Sequence, residues 1–521
     1  MTSELQLVGT TYLMIGTEIN STDRSKNYYQ GWGMQYSMGE IPYYVYEFFK
    51  KGIEDGNNYY SLSQTRSRSA AFFANATYSY KGRYTVNGTA RYEGTNRMGK
   101  SRSARWLPTW NVSGAWNAHE EKFFSNLTSV LSHFTLKASY SLTADRGPAD
   151  VTNSQAIITS YSPYRPFTSI QESGLYIKEL ENSELTYEKK HELNIGADMG
   201  FLNNRINLAV DWYKRNNYDL IGIVNTQGAG GQILKYANIA SMKSHGIEFT
   251  LSTKNIKTKD FNWNTDFIFS NAKNEVTDLK QNANVMELIS GNGFAKQGYP
   301  VRGLFSIPFV GLDKDGIPVI INEKGEATST DINFQERQNT GFLKYEGPTD
   351  PTITGSLGNM FSYKGFRLNL FITYSFGNVI RLNPVFKAYY SDLTAMTREF
   401  KNRWTLPGDE AKTNVPAILS KRMYDSNEDL KYAYNAYNYS TERIAKGDFI
   451  RLKEISLAYD FPKAWINPLK LTDLSLKVQA TNLFLIYADD KLNGQDPEFF
   501  NAGGVASPVP RQFTITLRLG L

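Results

Sequence analysis

Few residues in this chain have the types and spacing that catalysis or metal binding requires. The 521 residues include no cysteine, which excludes a disulfide framework, a thiolate metal site and a cysteine nucleophile. The sequence has no nucleophile elbow, no HExxH motif and no glycine-rich loop between a strand and a helix. The four histidines are scattered, with no two close enough in sequence for a local ligand pair: His119, His133, His191 and His245. We therefore predict that the chain is not an enzyme and uses no cofactor or metal.

The acidic motifs are better explained as turns and solvated loops than as calcium-binding or catalytic sites. The stretch Asp313-Lys-Asp-Gly316 resembles the start of a calcium loop, but it lacks the glycine and the final glutamate that an EF-hand requires. We interpret it as a polar turn within a long loop. The paired carboxylates at 120–121 and 489–490 fall in predicted loops or turns, where solvation accounts for them at least as well as acid–base catalysis does.

Tyrosines supply the candidate binding residues. The chain has 34 tyrosines and 30 phenylalanines, which is too aromatic for a disordered protein. Tyrosines crowd the first long predicted loop and the loop that precedes segment 449–461. A tyrosine ring can stack on a sugar or an apolar peptide group while its hydroxyl forms a hydrogen bond. We predict ligand contact for six of them, with packing of the loops on themselves or on a partner as the alternative: Tyr43, Tyr44, Tyr389, Tyr390, Tyr434 and Tyr437.

Charge and hydropathy narrow the class of protein. The net charge of +6 is mild and does not by itself indicate nucleic-acid binding. No apolar run reaches the ~18 residues of a transmembrane helix. A basic run at one predicted loop leaves three alternatives open, namely lipopolysaccharide phosphates, an acidic ligand or plain solvation: Arg97, Lys100, Arg102 and Arg105.

Apolar and polar residues alternate with a period of two along most of the chain. In the last segment Phe513 and Ile515 fall on one face, whereas Thr514 and Thr516 fall on the other. Strict alternation over about 9–11 residues is typical of a membrane-crossing β-strand. We predict fourteen such strands, at approximately 5–15, 69–81, 84–95, 105–117, 132–143, 188–201, 205–218, 237–254, 261–275, 353–364, 367–378, 449–461, 473–486 and 511–521.

The connections between these strands alternate in length. Seven long connections fall at 16–68, 96–104, 144–187, 219–236, 276–352, 379–448 and 487–510. Between them lie six shorter ones, among them 81–83, 203–204 and 364–365. Short turns on one rim and long loops on the other indicate an all-β, antiparallel outer-membrane β-barrel with periplasmic turns and extracellular loops. A soluble sandwich or propeller has shorter strands, and its connections are not sorted by length.

Several stretches resemble the SusC/RagA family of TonB-dependent outer-membrane transporters of Bacteroidetes. They include Tyr78-Ser-Tyr-Lys-Gly-Arg-Tyr84, Phe361-Ser-Tyr-Lys-Gly-Phe366, Asp448-Phe-Ile-Arg-Leu-Lys-Glu-Ile-Ser-Leu-Ala-Tyr459 and Gln479-Ala-Thr-Asn-Leu-Phe484. Each piece is short, but their order and spacing fit the family across nearly all of the chain.

The resemblance implies a fold and a function. It implies that residues 1–521 form the C-terminal part of a barrel of about 22 strands, with the signal peptide, TonB box and plug domain absent from this chain. The whole protein would be a nutrient-uptake receptor in the cell outer membrane that imports an oligosaccharide or oligopeptide. A SusD-like surface lipoprotein would act as its lid. TonB-ExbB-ExbD would energise it through the missing N-terminal part, and outer-membrane lipids would surround it.

Two further functions remain open at this stage. One is a passive outer-membrane porin complete at this length, because fourteen is an allowed even number of strands. The other is an outer-membrane enzyme, which needs a nucleophile with a base in reach, and the four histidines offer few bases.

Overall fold

The computed structural model describes most of the chain. The described residues are 9–30, 34–35, 41–42, 45–55, 57, 60–147, 156–161, 172–225, 234–390, 396–500 and 510–521. None of the helices in these ranges is both long and apolar enough to cross a membrane.

One antiparallel sheet of fourteen strands dominates the structure, and its strand order follows the chain. The strands are β1 (Gly9–Tyr29), β2 (Tyr60–Tyr80), β3 (Tyr84–Thr95), β4 (Trp106–Asn117), β5 (Leu131–Asp145), β6 (Glu188–Phe201), β7 (Ile206–Asn225), β8 (Leu234–Lys257), β9 (Phe261–Leu279), β10 (Ile353–Tyr363), β11 (Phe366–Phe376), β12 (Phe449–Asp460), β13 (Asp473–Ala488) and β14 (Gln512–Gly520). All fourteen predicted strands are confirmed. Within the described part of the chain, β1 and β14 each pair with a single strand and form the two edges of the sheet.

The alternation of the connections between two rims is confirmed, but their sorting by length holds only in part, because the connections 118–130 and 461–472 are longer than 96–105 on the opposite rim. On one rim the strands are joined at 81–83, 118–130, 202–205, 258–260, 364–365 and 461–472. The tightest of these turns join strands through left-handed backbone, as at Lys364 and Gly365 with φ of 44° and 91°. Such turns match the twist of the flanking strands. On the other rim lie the seven long connections.

Several strands run further toward the long-loop rim than the sequence predicts. The pairing of β1 with β2 continues to Tyr29 and Tyr60, deep inside the predicted loop 16–68. The extension is polar, with Asp23 opposite Arg66 in the register. Beyond the apolar zone water lies on both faces, so the alternation stops while the backbone pairing continues. Alternation therefore marks where the sheet is two-faced and not where the strand ends.

Short elements occur in the connections on both rims, and most of them lie in the long connections. Small strand pairs form at Met34–Gln35 with Ile41–Pro42, Ile157–Tyr161 with Gly174–Glu179, Gly303–Ser306 with Lys344–Pro348, and Val379–Arg381 with Ile444–Lys446. A three-stranded sheet comprises Phe309–Leu312, Pro318–Ile321 and Ala327–Thr328. The α-helices are α1 (Tyr46–Glu54), α2 (Arg102–Arg105), α3 (Val285–Ile289), α4 (Lys421–Ser426), α5 (Leu430–Asn438) and α6 (Lys463–Ile466). Single 3-10 turns lie at Ala118–Glu120, Lys122–Asn126, Arg398–Asn402, Asp409–Ala411, Thr441–Arg443, Asn467–Leu469, Asp490–Leu492 and Pro497–Phe499.

The main hydrophobic cores lie in the loops and not in the sheet. One cluster gathers around Phe386, Phe400 and Tyr434, and a neighbouring cluster gathers around Leu288 and Phe305. The two clusters draw on the connections 280–352 and 377–448. These two segments therefore fold as a packed assembly on the long-loop rim, called here the loop assembly.

An arginine substitution should have a large effect on one face of the wall and a small effect on the other. Leu370 lies on the apolar face of β11, and Asn369 lies on its polar face, where its amide donates to Glu454 at 3.4 Å. Leu370→Arg should destabilise membrane assembly by about 2–4 kcal/mol near the midplane, because the charge must enter hydrocarbon. Asn369→Arg should be mild, since the new cation faces Glu454. Unfolding of the refolded protein in lipid vesicles measures both, and equal losses would mean that the faces have been misassigned.

Candidate functional site

The wall presents an apolar outer face. On β13 the side chains of Leu476 and Val478 are 37% and 47% exposed, although each strand there has two neighbours. Water alone does not explain a continuous band of exposed large apolar side chains on a sheet of this size. The band is the surface that lipid covers in a transmembrane barrel.

The other face of the wall is polar, and hydrogen bonds and ion pairs join its side chains from strand to strand. Asn75 donates to Thr89 at 2.6 Å, and Asn87 donates to Thr77 at the same distance. Lower on the same face, Lys137 contacts Asp198 at 2.8 Å. These pairs satisfy polar groups on the lumenal side and stiffen the wall.

A charged cluster lines a cavity of about 350 Å³ near the upper end of β3. Arg91 bridges Glu18 at 2.9 Å and Glu93 at 2.6 Å, and Arg146 also pairs with Glu93. Tyr187 closes the cavity from the loop side, and burial raises the pKa of its hydroxyl to about 12. Two carboxylates face two guanidinium groups, so the cluster is electrically balanced and holds β1, β3 and the loop 146–187 together.

A cavity of about 620 Å³ lies between the upper ends of β10 and β11 and the loops above them. Hydroxyl and amide side chains line it, together with one carboxylate and several apolar groups: Thr349, Pro351, Thr354, Thr373, Ser375, Asn378, Ile380, Phe449 and Glu498. Its size suits a drug-sized or disaccharide-sized molecule. The cavity places hydrogen-bonding side chains between the wall and the loop assembly.

A buried ion pair anchors the last long loop to the wall beside this cavity. Arg451 of β12 and Asp496 of the loop have side chains that are 3% and 4% exposed. One guanidinium nitrogen of Arg451 lies 2.6 and 2.7 Å from the two carboxylate oxygens of Asp496, and Glu498 approaches it at 3.2 Å. A pair this buried leaves an uncompensated charge if one partner is lost. The part of this loop that contains Asp496 and Glu498 is therefore held against the wall.

A second buried arginine ties the parts of the loop assembly to each other. Arg381 is 4% exposed and donates to the carbonyl oxygens of Ser440 at 2.8 Å and Phe305 at 2.6 Å. Burial lowers its pKa to about 9, so the guanidinium stays protonated at neutral pH. Its partners come from the two connections of the loop assembly, which it joins through backbone oxygens.

The structure places three of the six predicted tyrosines inside the loop assembly. Tyr434 is 1% exposed and donates to the carbonyl oxygen of Ala417 at 2.6 Å, while Tyr437 is 2% exposed between Phe309 and Phe386. Tyr390 is also buried, and its hydroxyl donates to the carbonyl oxygen of Val385 at 3.1 Å. Burial raises the pKa of all three phenols, that of Tyr390 to about 12. In this conformation the three rings pack the core and present almost no surface to a ligand.

Tyr389 is the exposed one of the four predicted tyrosines that the structure describes. Its side chain is 40% exposed, and its ring lies nearly parallel to that of Tyr424, with the centroids 6.3 Å apart. Both rings line a loop cavity of about 330 Å³ together with Lys387 and Lys431. Sequence reasoning missed Tyr424 and both lysines, because no spacing signal links residues that far apart. Tyr43 and Tyr44 lie outside the described residues.

The histidines and the Asp313 motif, which the sequence analysis considered as possible metal sites, form local contacts in the structure. The rings of His119 and His133 lie 4.0 Å apart, a proximity that the sequence spacing hides. No group of three potential metal ligands occurs within the described ranges. The Asp313 carboxylate accepts the backbone N–H groups of Asp315 and Ile317, both at 2.9 Å, which is a polar turn of the kind expected.

Part of the basic run is paired within the protein. Lys100 contacts Glu181 at 2.9 Å, and the side chain of Arg105 donates to the carbonyl oxygen of Gly99 at 3.2 Å. The first contact joins the connection 96–105 to the neighbouring loop, and the second lies within the connection. They give these two cations a structural role, and the alternatives left open for the run are otherwise unchanged.

Comparisons with known proteins agree with this architecture. A family model described as "TonB dependent receptor-like, beta-barrel" matches residues 4–483. TonB-dependent receptor SusC of Bacteroides thetaiotaomicron is 26% identical over 515 residues, which cover 91% of this chain and 47% of SusC. TonB-dependent receptor P3 of Formosa agariphila is 25% identical over 446 residues, covering 82% of this chain and 41% of that protein.

Solved structures show the same fold. The structure of the RagAB peptide transporter superposes with a TM-score of 0.75 at 21% identity, covering 99% of this chain and 54% of that chain. The structure of the RagAB peptide importer in the 'open-open' state gives a TM-score of 0.76. The chain spans about half the length of the curated relatives that it matches.

The buried pair formed by Arg451 and Asp496 yields a stability prediction. Asp496→Ala should weaken attachment of the last loop by about 3–5 kcal/mol, because it leaves Arg451 buried without its main partner. The double variant Arg451→Met with Asp496→Leu should recover much of this loss. Protection of the loop from added protease, measured against urea, reports the effect.

A matched control is the exposed pair formed by Arg302 and Asp350, whose side chains are 45% and 51% exposed. Asp350→Ala should cost no more than about 1 kcal/mol. If Asp496→Ala and Asp350→Ala have the same small effect, the buried pair does not anchor the loop.

Proposed function

The chain belongs to the TonB-dependent receptor-like β-barrel family of the outer membrane, and from that premise we propose that it forms the wall and loops of a receptor that imports an oligosaccharide or oligopeptide. The observation that carries the proposal is the loop assembly on one rim of a two-faced wall. Its cavities combine aromatic, hydroxyl and charged side chains, as a binding surface for a polar ligand requires.

Two arguments support active import: the size of the proposed ligand and the similarity of this chain to TonB-dependent receptors. A ligand too large for passive pores needs a binding site and an energy source. The name TonB-dependent receptor belongs to the relatives, and we propose the same energy coupling for the whole protein of which this wall is a part. The coupling would pass from TonB-ExbB-ExbD to a plug domain, which lies outside the matched wall.

We propose a SusD-like surface lipoprotein as the lid over the loops. The support in this chain is apolar surface on a pair of short strands between β5 and β6. In the pair Ile157–Tyr161 with Gly174–Glu179, Ile158 is 62% exposed and Leu175 is 75% exposed. Tyr161 and Tyr176 of the same pair pack edge to face, with their ring centroids 5.6 Å apart. An exposed apolar surface of this kind is suited to contact another protein.

The wall must also lose its free edges in a membrane. Unpaired backbone groups cost several kcal/mol each in hydrocarbon. We therefore propose that β1 and β14 pair with each other or with strands beyond the described ones when the protein is in the membrane.

Uptake in living cells tests import. Cells that lose the gene should stop accumulating fluorescently labelled oligosaccharides or oligopeptides from a size-graded panel, and restoring the gene should restore accumulation. A protonophore should abolish uptake, since it removes the energy that TonB transmits. Uptake that persists with the protonophore would contradict active import and would favour the passive porin.

The lid has its own test. Ile158→Asp combined with Leu175→Asp should reduce co-purification of a surface lipoprotein and reduce uptake, because the apolar contact becomes charged. Leu406→Asp, at a residue 68% exposed in another loop, serves as the control and should leave both unchanged. Normal co-purification with the double variant would show that this pair of strands is not the contact surface.

A further inference from the structure

We infer that the loop cavity around Tyr389 and Tyr424 is a binding site for an acidic sugar residue, a ring that carries a carboxylate or sulfate group. The inference rests on the proposed function, because it names the class of oligosaccharide that the receptor takes. The cavity has a volume of about 330 Å³ and lies between segment 386–389, Tyr424 and helix α5. That volume holds one to two sugar rings.

The aromatic side of the cavity is preformed. The planes of Tyr389 and Tyr424 differ by 21°, and the ring centroids lie 6.3 Å apart. This spacing leaves no room for a ligand between the rings, so a ligand stacks on the exposed side of Tyr389. Lys421 reinforces the pair, with its ammonium nitrogen 5.9 Å from the Tyr389 ring centre and 3.2 Å from Asp425. The apolar C–H face of a pyranose packs on such a ring while its hydroxyls stay in water.

The charged side of the cavity is cationic and uncompensated. Lys387 and Lys431 both line it, and no carboxylate lies within 4 Å of either ammonium group among the described residues. The described residues that line the cavity include no aspartate or glutamate. Asn435 adds an amide to the same lining. Four of the nine other lysines of the loop assembly pair with a carboxylate among the described residues, as Lys324 does with Asp331 at 2.7 Å. The Lys431 ammonium nitrogen lies 5.3 Å from the ring centroid of Tyr432, a contact that leaves its charge without a counter-ion. Two such cations in the lining of a cavity that also holds an exposed ring therefore favour an anionic ligand.

The combination distinguishes an acidic sugar from an acidic peptide. An aspartate or glutamate side chain satisfies the lysines, but it offers no flat apolar face to Tyr389. A neutral sugar covers the ring but leaves both ammonium groups unpaired. A uronate or sulfated pyranose satisfies both halves of the site with one residue. The floor of the cavity is the buried core residue Tyr434, so the site rests on a rigid support.

Binding to the full chain in detergent micelles tests the inference without transport. The probes are tetragalacturonate, the neutral tetrasaccharide maltotetraose and hexaglutamate, measured by isothermal titration calorimetry. Tetragalacturonate should bind, maltotetraose should bind on the order of tenfold more weakly or not at all, and hexaglutamate should be similarly weak. Raising the ionic strength should weaken tetragalacturonate binding, because partly exposed ion pairs are screened.

Three variants separate the halves of the site. Lys387→Glu and Lys431→Glu should each reduce tetragalacturonate affinity by about tenfold, and Tyr389→Ala should reduce it by a similar factor. The control is Lys401→Glu, which makes the same charge change at an exposed lysine of the same connection that does not line the cavity. It should leave the affinity unchanged. Heat-modified gel migration confirms that every variant is folded.

The binding results test the acidic-sugar site, and they can be distinguished from a failure of the proposed import function. Equal affinity for maltotetraose and tetragalacturonate, or unchanged binding in both lysine variants, would overturn the anionic site. Hexaglutamate binding as tight as tetragalacturonate, with no effect of Tyr389→Ala, would replace the sugar with an acidic peptide. Energised uptake of another ligand would then still support the proposed function, whereas its loss would refute import whatever binds in this cavity.

Discussion

Every backbone N–H and C=O group that enters a bilayer must find its hydrogen-bond partner within the protein. That constraint dictates the long antiparallel wall, in which each strand pairs with its neighbours in sequence order. It also accounts for the short turns on one rim. A short turn places the next strand directly beside the strand that has just crossed the membrane, where the two backbones can pair. The two-faced pattern follows, because a wall between lipid and a polar interior buries neither face in a protein core. The chain therefore keeps its true cores in the loops.

The loops must then be held by interactions other than the backbone pairing of the wall. Two buried arginines do this in different ways. Arg451 pairs with the carboxylate of Asp496 and ties a loop to the wall, whereas Arg381 binds carbonyl oxygens and ties loop to loop. Guanidinium suits both positions because its donors are fixed in a plane and its charge persists when it is buried. The cavities lie next to these anchored segments, which gives them rigid linings.

The sequence predicted the strands of the wall more completely than it predicted the residues of the candidate binding site. Alternation located all fourteen strands because a period of two has one physical cause, the two faces. It failed at the upper ends of β1 and β2, where the strands stay paired but the apolar alternation is lost, as where Asp23 faces Arg66. Tyrosine content singled out Tyr389 and also Tyr434, although one is exposed and the other is a core residue. Composition does not distinguish a stacking ring from a packing ring. The partners of Tyr389 come from remote positions, such as Tyr424, which only the folded loop brings together.

The central claim is that alternate residues of the wall face lipid, and the absence of native cysteine allows a clean test of it. Single cysteines placed at successive positions from Leu474 to Thr481 of β13 each carry one environment-sensitive fluorophore. Quenching by brominated lipid should be strong at Leu474, Leu476, Val478 and Ala480, and weak at Ser475, Lys477, Gln479 and Thr481. A two-residue period in quenching is the result that this account predicts. Uniform quenching, or quenching strongest at the polar positions, would contradict it.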